Sequence, residues 1–404
     1  YRGNWREPCD NDLQEVIMQV RARIPIVDTN VIEPPSVCPY EGCDGHYFKD
    51  HQKACVKPIR DTRIEQVTAS RRKCLTCGRT HRVYPQGVSS ASQSGRLKGL
   101  SILLWVLGIS YRGVAGVLAG LGCRIHYTTV YDNVRAAGKK VRQLRETWLT
   151  AEGKVSVVGG DLTYLKCKGE RIAIAIAVDD ATGEVLDIEV LENEETETLT
   201  EWLEPLLDMV GAEVLITDDQ DGFKSVADES GVSHQICRQH VTRNVLDFVA
   251  KTAKGVLKSP PRVPTGSDLS ADQLLDDLAL LEWIMLGQPS HAVKLLEELY
   301  HRYADVPSPK KGQRASPWYR MRNHVLRLWN HWTRYTCVNS LAAKGKPGIN
   351  ETNNTTERVI GWGIKERYRT VRGYKDQDSV LDVAHLTTWL QEGAEGREME
   401  VLFK

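Results

Sequence analysis

The sequence predicts a multidomain α/β protein in which a mixed β-sheet is interrupted by an all-α insertion and preceded by a metal-stapled module and a short helical bundle. Three observations predict it. Strand-like apolar patterns crowd between Val155 and Ile236, helical periodicity fills the stretches on either side, and five of the ten cysteines fall between Cys38 and Cys77. A chain of 404 residues, 41% apolar, has room for two or three cores at about 150 residues each. Its longest apolar run, Gly99 to Ser110, is well short of the ~20 residues that span a bilayer, and Tyr1-Arg2-Gly3-Asn4 does not open a secretion signal, so neither a membrane nor a secreted protein is expected.

The elements follow in order. In the N-terminal segment (1–35) an amphipathic stretch, Leu13 to Arg23, is stopped by Pro25. Residues 36–88 are polar and poor in aliphatic side chains, so this module needs a staple. Cys38-Pro-Tyr-Glu-Gly-Cys43 and Cys74-Leu-Thr-Cys77-Gly78 supply two cysteine knuckles, which predicts a zinc ribbon with Cys38, Cys43, Cys74 and Cys77 as ligands; His46, His51, Cys55 and His81 are the substitutes at hand. Residues 89–150 read as three helices: an apolar one ending at Gly108, a second from Tyr111 to Leu121 capped by Ser110, and a third opening at Thr128 or Thr129. With Arg135, Lys139, Lys140, Arg142 and Arg145 following, this layout predicts a helix-turn-helix in which Thr128, Thr129, Tyr131 and Asn133 face bases.

From Val155 the period changes. Val155–Leu165, Arg171–Val178 and Glu184–Leu191 read as three strands, then come a helix (197–210), a strand (213–217), a helix (223–229), a short strand (233–236) and a helix (238–251). That first part of the core spans 151–252 and is followed by a Pro/Gly-bearing linker. The insertion, 253–349, is read as three helices over 272–286, 291–303 and 318–339, and the core's remaining part and tail, 350–404, opens with a helix from about Asn353 to Lys365.

Formal net charge is zero, yet the charges are segregated: residues 1–150 carry 23 basic against 13 acidic, residues 151–300 carry 12 against 29, and residues 301–375 carry 16 against 4. Two basic blocks around an acidic one fit polyanion-binding surfaces flanking a carboxylate-rich centre. In the insertion, the Trp318–Tyr335 stretch recurs at helical spacing, which predicts core tryptophans, with Arg320, Arg322, Arg327 and Arg334 left to meet a nucleic acid.

Asp161 and Asp218 each follow an apolar strand, where two carboxylates repel unless a cation lies between them. Oxygen-only ligands suit Mg²⁺ or Mn²⁺, and a third carboxylate, Glu357 or Glu351, would complete a two-metal site. Asp219 rivals Asp218. Cys237 and His240 form a C-x2-H element for which core support and donation by His240 to a scissile phosphate both fit; two ligands are too few for zinc on this pair alone.

Asp161-Leu-Thr-Tyr, Thr217-Asp218-Asp-Gln-Asp-Gly-Phe223, Cys237-Arg-Gln-His240 and Asn353-Asn354-Thr-Thr-Glu357-Arg358 resemble the DDE transposases of bacterial insertion sequences and Mutator-like elements, over roughly 155–374. The resemblance implies a ribonuclease H-like core with a helical insertion, Asp161, Asp218 and Glu357 as catalytic metal ligands, and two Mg²⁺ or Mn²⁺ per active site besides structural Zn²⁺. It implies an enzyme that binds the terminal inverted repeats of an element, cleaves them and joins the 3′-hydroxyl to target DNA. It also implies a homodimer or larger assembly, nucleoid-associated in the cytoplasm of a prokaryote. Arg358, Lys365, Arg367, Arg369 and Arg372 would line the DNA groove beside Glu357. The alternatives are a domesticated DNA-binding regulator with a non-cleaving scaffold, and a nuclease without strand transfer.

Overall fold

A two-residue strand, β1 (Ala22–Arg23), pairs in parallel with Arg397–Glu398 near the other end of the chain. The computed structural model describes residues 22–403 except 33, 152, 264–268, 372 and 392–396, so most of the amphipathic Leu13–Arg23 stretch lies outside the described residues. A three-stranded antiparallel sheet, β2 (Phe48–Pro58), β3 (Gln66–Cys74) and β4 (Thr80–Val83), then spans the cysteine-rich module. Its strands are rich in Lys, Arg and His and only β3 alternates buried and exposed positions, so the sequence pattern does not announce them.

Helices α1 (Gly95–Val106), α2 (Tyr111–Gly120) and α3 (Tyr127–Ala151) follow. Ser94 caps α1 by accepting from Leu97 N–H, and Ser110 caps α2 by accepting from Gly113 N–H. The central sheet is built from β5 (Val157–Cys167), β6 (Glu170–Asp179), β7 (Val185–Leu191), β8 (Val214–Thr217) and β9 (Ser233–Ile236) in the order β7-β6-β5-β8-β9. The first three are antiparallel neighbours, and β8 and β9 add in parallel. This is the mixed sheet expected from the sequence. Helix α4 (Thr196–Val210) connects β7 to β8, α5 (Asp221–Glu229) connects β8 to β9, and α6 (Arg238–Lys258) leaves the sheet. Helix α6 runs further than its sequence pattern suggested, absorbing the start of the presumed linker.

The insertion comprises α7 (Ala271–Gly287), α8 (Ala292–Tyr303), α9 (Pro317–Tyr335) and α10 (Cys337–Ala343), so the single helix expected over 318–339 breaks at Thr336. With α6 it encloses its own core, in which Trp318, Trp332 and Tyr335 are buried as the helical spacing implied. The chain returns as α11 (Asn354–Val359), a π-helical turn (Ile360–Lys365), α12 (Glu366–Val371) and α13 (Gln377–Gln391).

The three N-terminal helices do not close a core of their own. Val130, Val134, Ala137 and Val141 of α3 pack in one cluster with Ile174 and Ile188 of the sheet and with Leu381, Leu386 and Trp389 of α13. The crossing is close: a Cβ on Gly138 would sit 2.2 Å from the carbonyl oxygen of Asp382. Residues 89–150 are thus welded to the central sheet through α13. Among the described residues, no helix is long and apolar enough to cross a membrane.

Candidate active site

The parallel register Val157↔Val214, Val158↔Leu215, Gly159↔Ile216, carried two residues further, brings Asp161 level with Asp218. Asp161 sits on β5 with one carboxylate oxygen accepting from Leu162 N–H at 2.7 Å. Burial first, then the negative charges of Asp218 and Glu357, push its carboxyl up to about 7. Asp218 Oδ1 lies 2.6 Å from His240 Nδ1, which in turn lies 3.6 Å from Glu357 Oε1. Asp218, Cys237, His240 and Glu357 each offer a ligand atom within 4.8 Å of the others. Asp161 borders this group and interacts with its charges.

The two rivals are engaged elsewhere. Asp219 pairs with Lys224 and with Arg327, both at 2.6 Å, and Glu351 pairs with Arg238 at 2.5 Å. Geometry therefore favours Asp218 and Glu357.

A residue that the sequence marks only as a candidate helix cap holds the segments together. Asn353, fully buried, donates its side-chain amide to Gly160 C=O at 3.0 Å and its backbone N–H to Cys237 Sγ at 3.4 Å. Its own C=O accepts from Glu357 N–H at 3.0 Å. Helix α11 also lies directly on β5: a Cβ on Gly159 would stand 2.3 Å from Thr356 Oγ1. The only sequence signal was the Asn immediately before the Asn-Thr-Thr-Glu run.

Helices α6 and α9 wall a cleft of about 430 Å³ that opens beside Asp218 and His240 and is further lined by Arg243, Asn244, Arg327 and His331. An all-oxygen set with an orphaned member fits a hard cation. Among the described residues Glu357 Oε1 is buried without a hydrogen-bond donor, and burial with the charges of Asp218 and Glu357 raises the Asp161 carboxyl against the lowering pull of Lys365.

In the cysteine module, Cys38 Sγ and Cys77 Sγ are 3.7 Å apart, and Cys43 Sγ and Cys74 Sγ 3.9 Å. The edge of a tetrahedron with Zn–S bonds of ~2.3 Å is about 3.8 Å, so the four thiols fit zinc. Arg79 lowers the Cys77 thiol to about 6, while burial raises that of Cys38 to about 12. Gly78, at φ +73°, lets the backbone turn back after the second knuckle. His46 instead contacts Ser36 C=O, and Cys55 and His81 lie outside the cluster.

Several residues assigned to DNA by the sequence reading are committed to the fold. Asn133 is buried, donating to Gln93 Oε1 and Ser101 Oγ. Arg135 is bound by Asp382 at 2.7 Å and Asp376 at 3.1 Å. Arg320 lies over the Phe248 ring and reaches Thr252; Arg322 donates to the carbonyls of Ala304 and Val306. Arg327 holds Asp219, and Arg334 forks onto Asp228. Arg367 is buried and stacks on Trp105. In each case a charge count along the chain does not reveal the partner that folding supplies. By contrast Thr128, Tyr131, Lys139, Arg358, Lys365 and Arg369 are exposed, with Thr129 and Lys140 half-buried. Helix α3 begins at Tyr127 with His126, 2.8 Å from Thr128 Oγ1, at its head, so neither threonine is the cap. Arg372 lies outside the described residues.

Residues 93–261 match the family model described as transposase, Mutator family. That stretch runs from α1 through α6 and contains Asp161, Asp218, Cys237 and His240. Over that stretch the chain is similar to Mutator-family transposases, as its motifs had implied. No curated protein matches it. Among solved structures it is similar to the HTLV-2 integrase catalytic core domain in complex with magnesium (17% identity, 32% of this chain and 84% of that one, TM-score 0.19). It is similar also to the Mos1 transposase catalytic domain with Raltegravir and Mn (13%, 51% and 93%, TM-score 0.17) and to a chain of the simian T-cell lymphotropic virus intasome with a PP2A regulatory subunit (12%, 50% and 69%, TM-score 0.19).

Proposed function

We propose that this chain is a DDE transposase that binds the ends of a mobile element, cleaves them by metal-dependent phosphodiester hydrolysis and joins the freed 3′-hydroxyl to another DNA strand. The observation that carries the reading is the meeting of Asp161, Asp218 and Glu357, from two neighbouring strands and a distant helix, within a chain that matches a transposase family. These three residues would hold Mg²⁺ or Mn²⁺, two per site, which supply charge stabilisation at the attacking and leaving oxygens. Asp161 must shed its proton to serve, and its crowded carboxyl does so around neutral pH. His240 meets Asp218 through Nδ1, and in its doubly protonated form the ring would also present Nε2–H to a phosphate oxygen. Arg358, Lys365 and Arg369 beside Glu357 provide the phosphate-facing charge. The zinc-stapled module and the exposed start of α3, with Thr128, Thr129, Tyr131, Lys139 and Lys140, form the end-binding part, a helix-turn-helix resting on the sheet. Joining two ends requires two such sites, hence a homodimer or larger assembly on double-stranded DNA.

The test is Asp161→Asn. This variant is expected to bind a cognate end with wild-type affinity while losing Mg²⁺-dependent cleavage; a variant that still cuts removes Asp161 from the site.

A further inference from the structure

Cys237 and His240 stand one helical turn apart at the start of α6, so their side chains share a face. The pair alone has too few ligands for a transition metal. Folding changes the count, because Asp218 Oδ1 and Glu357 Oε1 arrive on the same face with all four ligand atoms within 4.8 Å of one another. Two of the four, a thiol sulfur and an imidazole nitrogen, are donors that magnesium does not select and that zinc does. Glu357 Oε1 is buried with no hydrogen-bond donor, an oxygen without a partner aimed into the group.

We propose that Asp218, Cys237, His240 and Glu357 form a four-coordinate site for zinc, distinct from the four-cysteine cluster, whose occupation excludes magnesium by taking two of its three carboxylates. The exclusion rests on the transposase reading above; the zinc site itself does not. A tetrahedral ion with Zn–O, Zn–N and Zn–S bonds of ~2.0–2.3 Å needs ligand atoms about 3.3–3.8 Å apart. The 2.6 Å contact between His240 and Asp218 must therefore open slightly and the widest separations close by about 1 Å, movements within the reach of side-chain torsions. On binding, the Cys237 proton leaves to solvent as the sulfur–zinc bond forms, and the Asn353 N–H that now meets the sulfur becomes a donor to a metal-bound thiolate.

The experiment counts metal. The purified full chain is equilibrated with zinc buffered at low micromolar free concentration, desalted, and its zinc measured by mass spectrometry. Two zinc ions per chain are expected for the wild type and for Cys55→Ser, and one for Cys237→Ser, which retains the four-cysteine ion. Should Cys237→Ser fail to fold, His240→Ala provides the same count and is expected to hold one. A thiolate-to-cobalt absorption band, seen when cobalt is added to protein already carrying one zinc, is expected in the wild type and absent in Cys237→Ser. One zinc in the wild type, or two in folded Cys237→Ser, overturns the proposal. In cleavage assays zinc is expected to raise the magnesium needed for half-maximal rate at least tenfold more in the wild type than in Cys237→Ser; an equal rise in both overturns the exclusion. Because the metal count does not depend on cleavage, a protein that counts two zinc ions when zinc is supplied, yet cuts no DNA in magnesium without added zinc, refutes the transposase reading and leaves the site standing.

Discussion

Gly159 is the position where the close packing of α11 on β5 can be tested with one methyl group. Its backbone φ is not in the left-handed region, so alanine is permitted there by the chain itself and only the space is contested. The new Cβ would lie 2.3 Å from Thr356 Oγ1 and 3.1 Å from Val178 Cγ2. Restoring ordinary contact at about 3.4 Å means moving Thr356, the residue before Glu357, by roughly 1 Å, because β5 is fixed by strands on both sides. Overpacking of this kind costs about 1–3 kcal/mol. A displacement of that size at a reacting group costs about 10²-fold in rate. Gly160→Ala is the internal control, since its Cβ would meet Thr217, Phe223 and Leu215 at 3.4–3.7 Å, which is normal contact. End cleavage at saturating magnesium, alongside the urea midpoint, reads both quantities. Gly159→Ala is expected to lose about two orders of magnitude in cleavage while remaining folded, and Gly160→Ala to lose less than tenfold. Equal activity in the two variants would refute the claim that α11 is seated against Gly159 to position Glu357.

Two further outcomes follow from the electrostatics. Asp161 titrates at about 7 in the fold against about 4 in the unfolded chain, so between those values the folded state binds the extra proton. Its contribution to stability is therefore present at low pH and is lost as pH rises through that window. Without added divalent metal, the thermal midpoint of the wild type is expected to fall more steeply from pH 4 to 7 than that of Asp161→Asn, and parallel curves would contradict the assignment. Arg135→Ala leaves Asp382 buried with Arg142 at 3.8 Å and the charge of Lys139 in place of its direct partner, so it is expected to cost about 3–5 kcal/mol in urea unfolding. Adding Asp382→Asn should recover most of that loss, whereas a residue that merely touched DNA would leave stability unchanged.

The central sheet was legible because its strands carry strong local signals. Ile172 to Val178 is an unbroken apolar run, buried on both faces of the sheet from Ala173 on; Val214 to Thr217 is buried throughout. Helix α13 was not legible for the same physical reason inverted. Every residue from Ser379 to Leu390 is buried, so no polar face marks a helical period. Polar groups inside it meet tertiary partners: Asp382 Oδ2 meets Arg135, His385 and Thr388 meet Arg145, and Thr387 donates to Gly363 C=O. The engagement of Arg135 on α3 was hidden for a linked reason. Its carboxylate partners lie more than 240 positions away, Asp382 in α13 and Asp376 just before it, and no local pattern announces such a pairing.

The candidate site divides along the same line. Asp161 and Asp218 could be found because each terminates or extends a recognisable strand, and parallel register then forces them together. The resemblance already put Glu357 ahead of Glu351, and the fold adds a physical reason for that order. Asn353 decides it: its amide is tied to the carbonyl immediately before Asp161, its N–H to the cysteine that opens α6, and its C=O to Glu357. One buried amide thus couples β5, α6 and α11, and sets the six-residue α11 so that its glutamate faces the carboxylates while Glu351, before the helix, is drawn to Arg238. A short helix with little intrinsic stability holds this orientation only through such tertiary anchors. The position of the third carboxylate is therefore a property of Asn353 and Gly159 as much as of Glu357 itself.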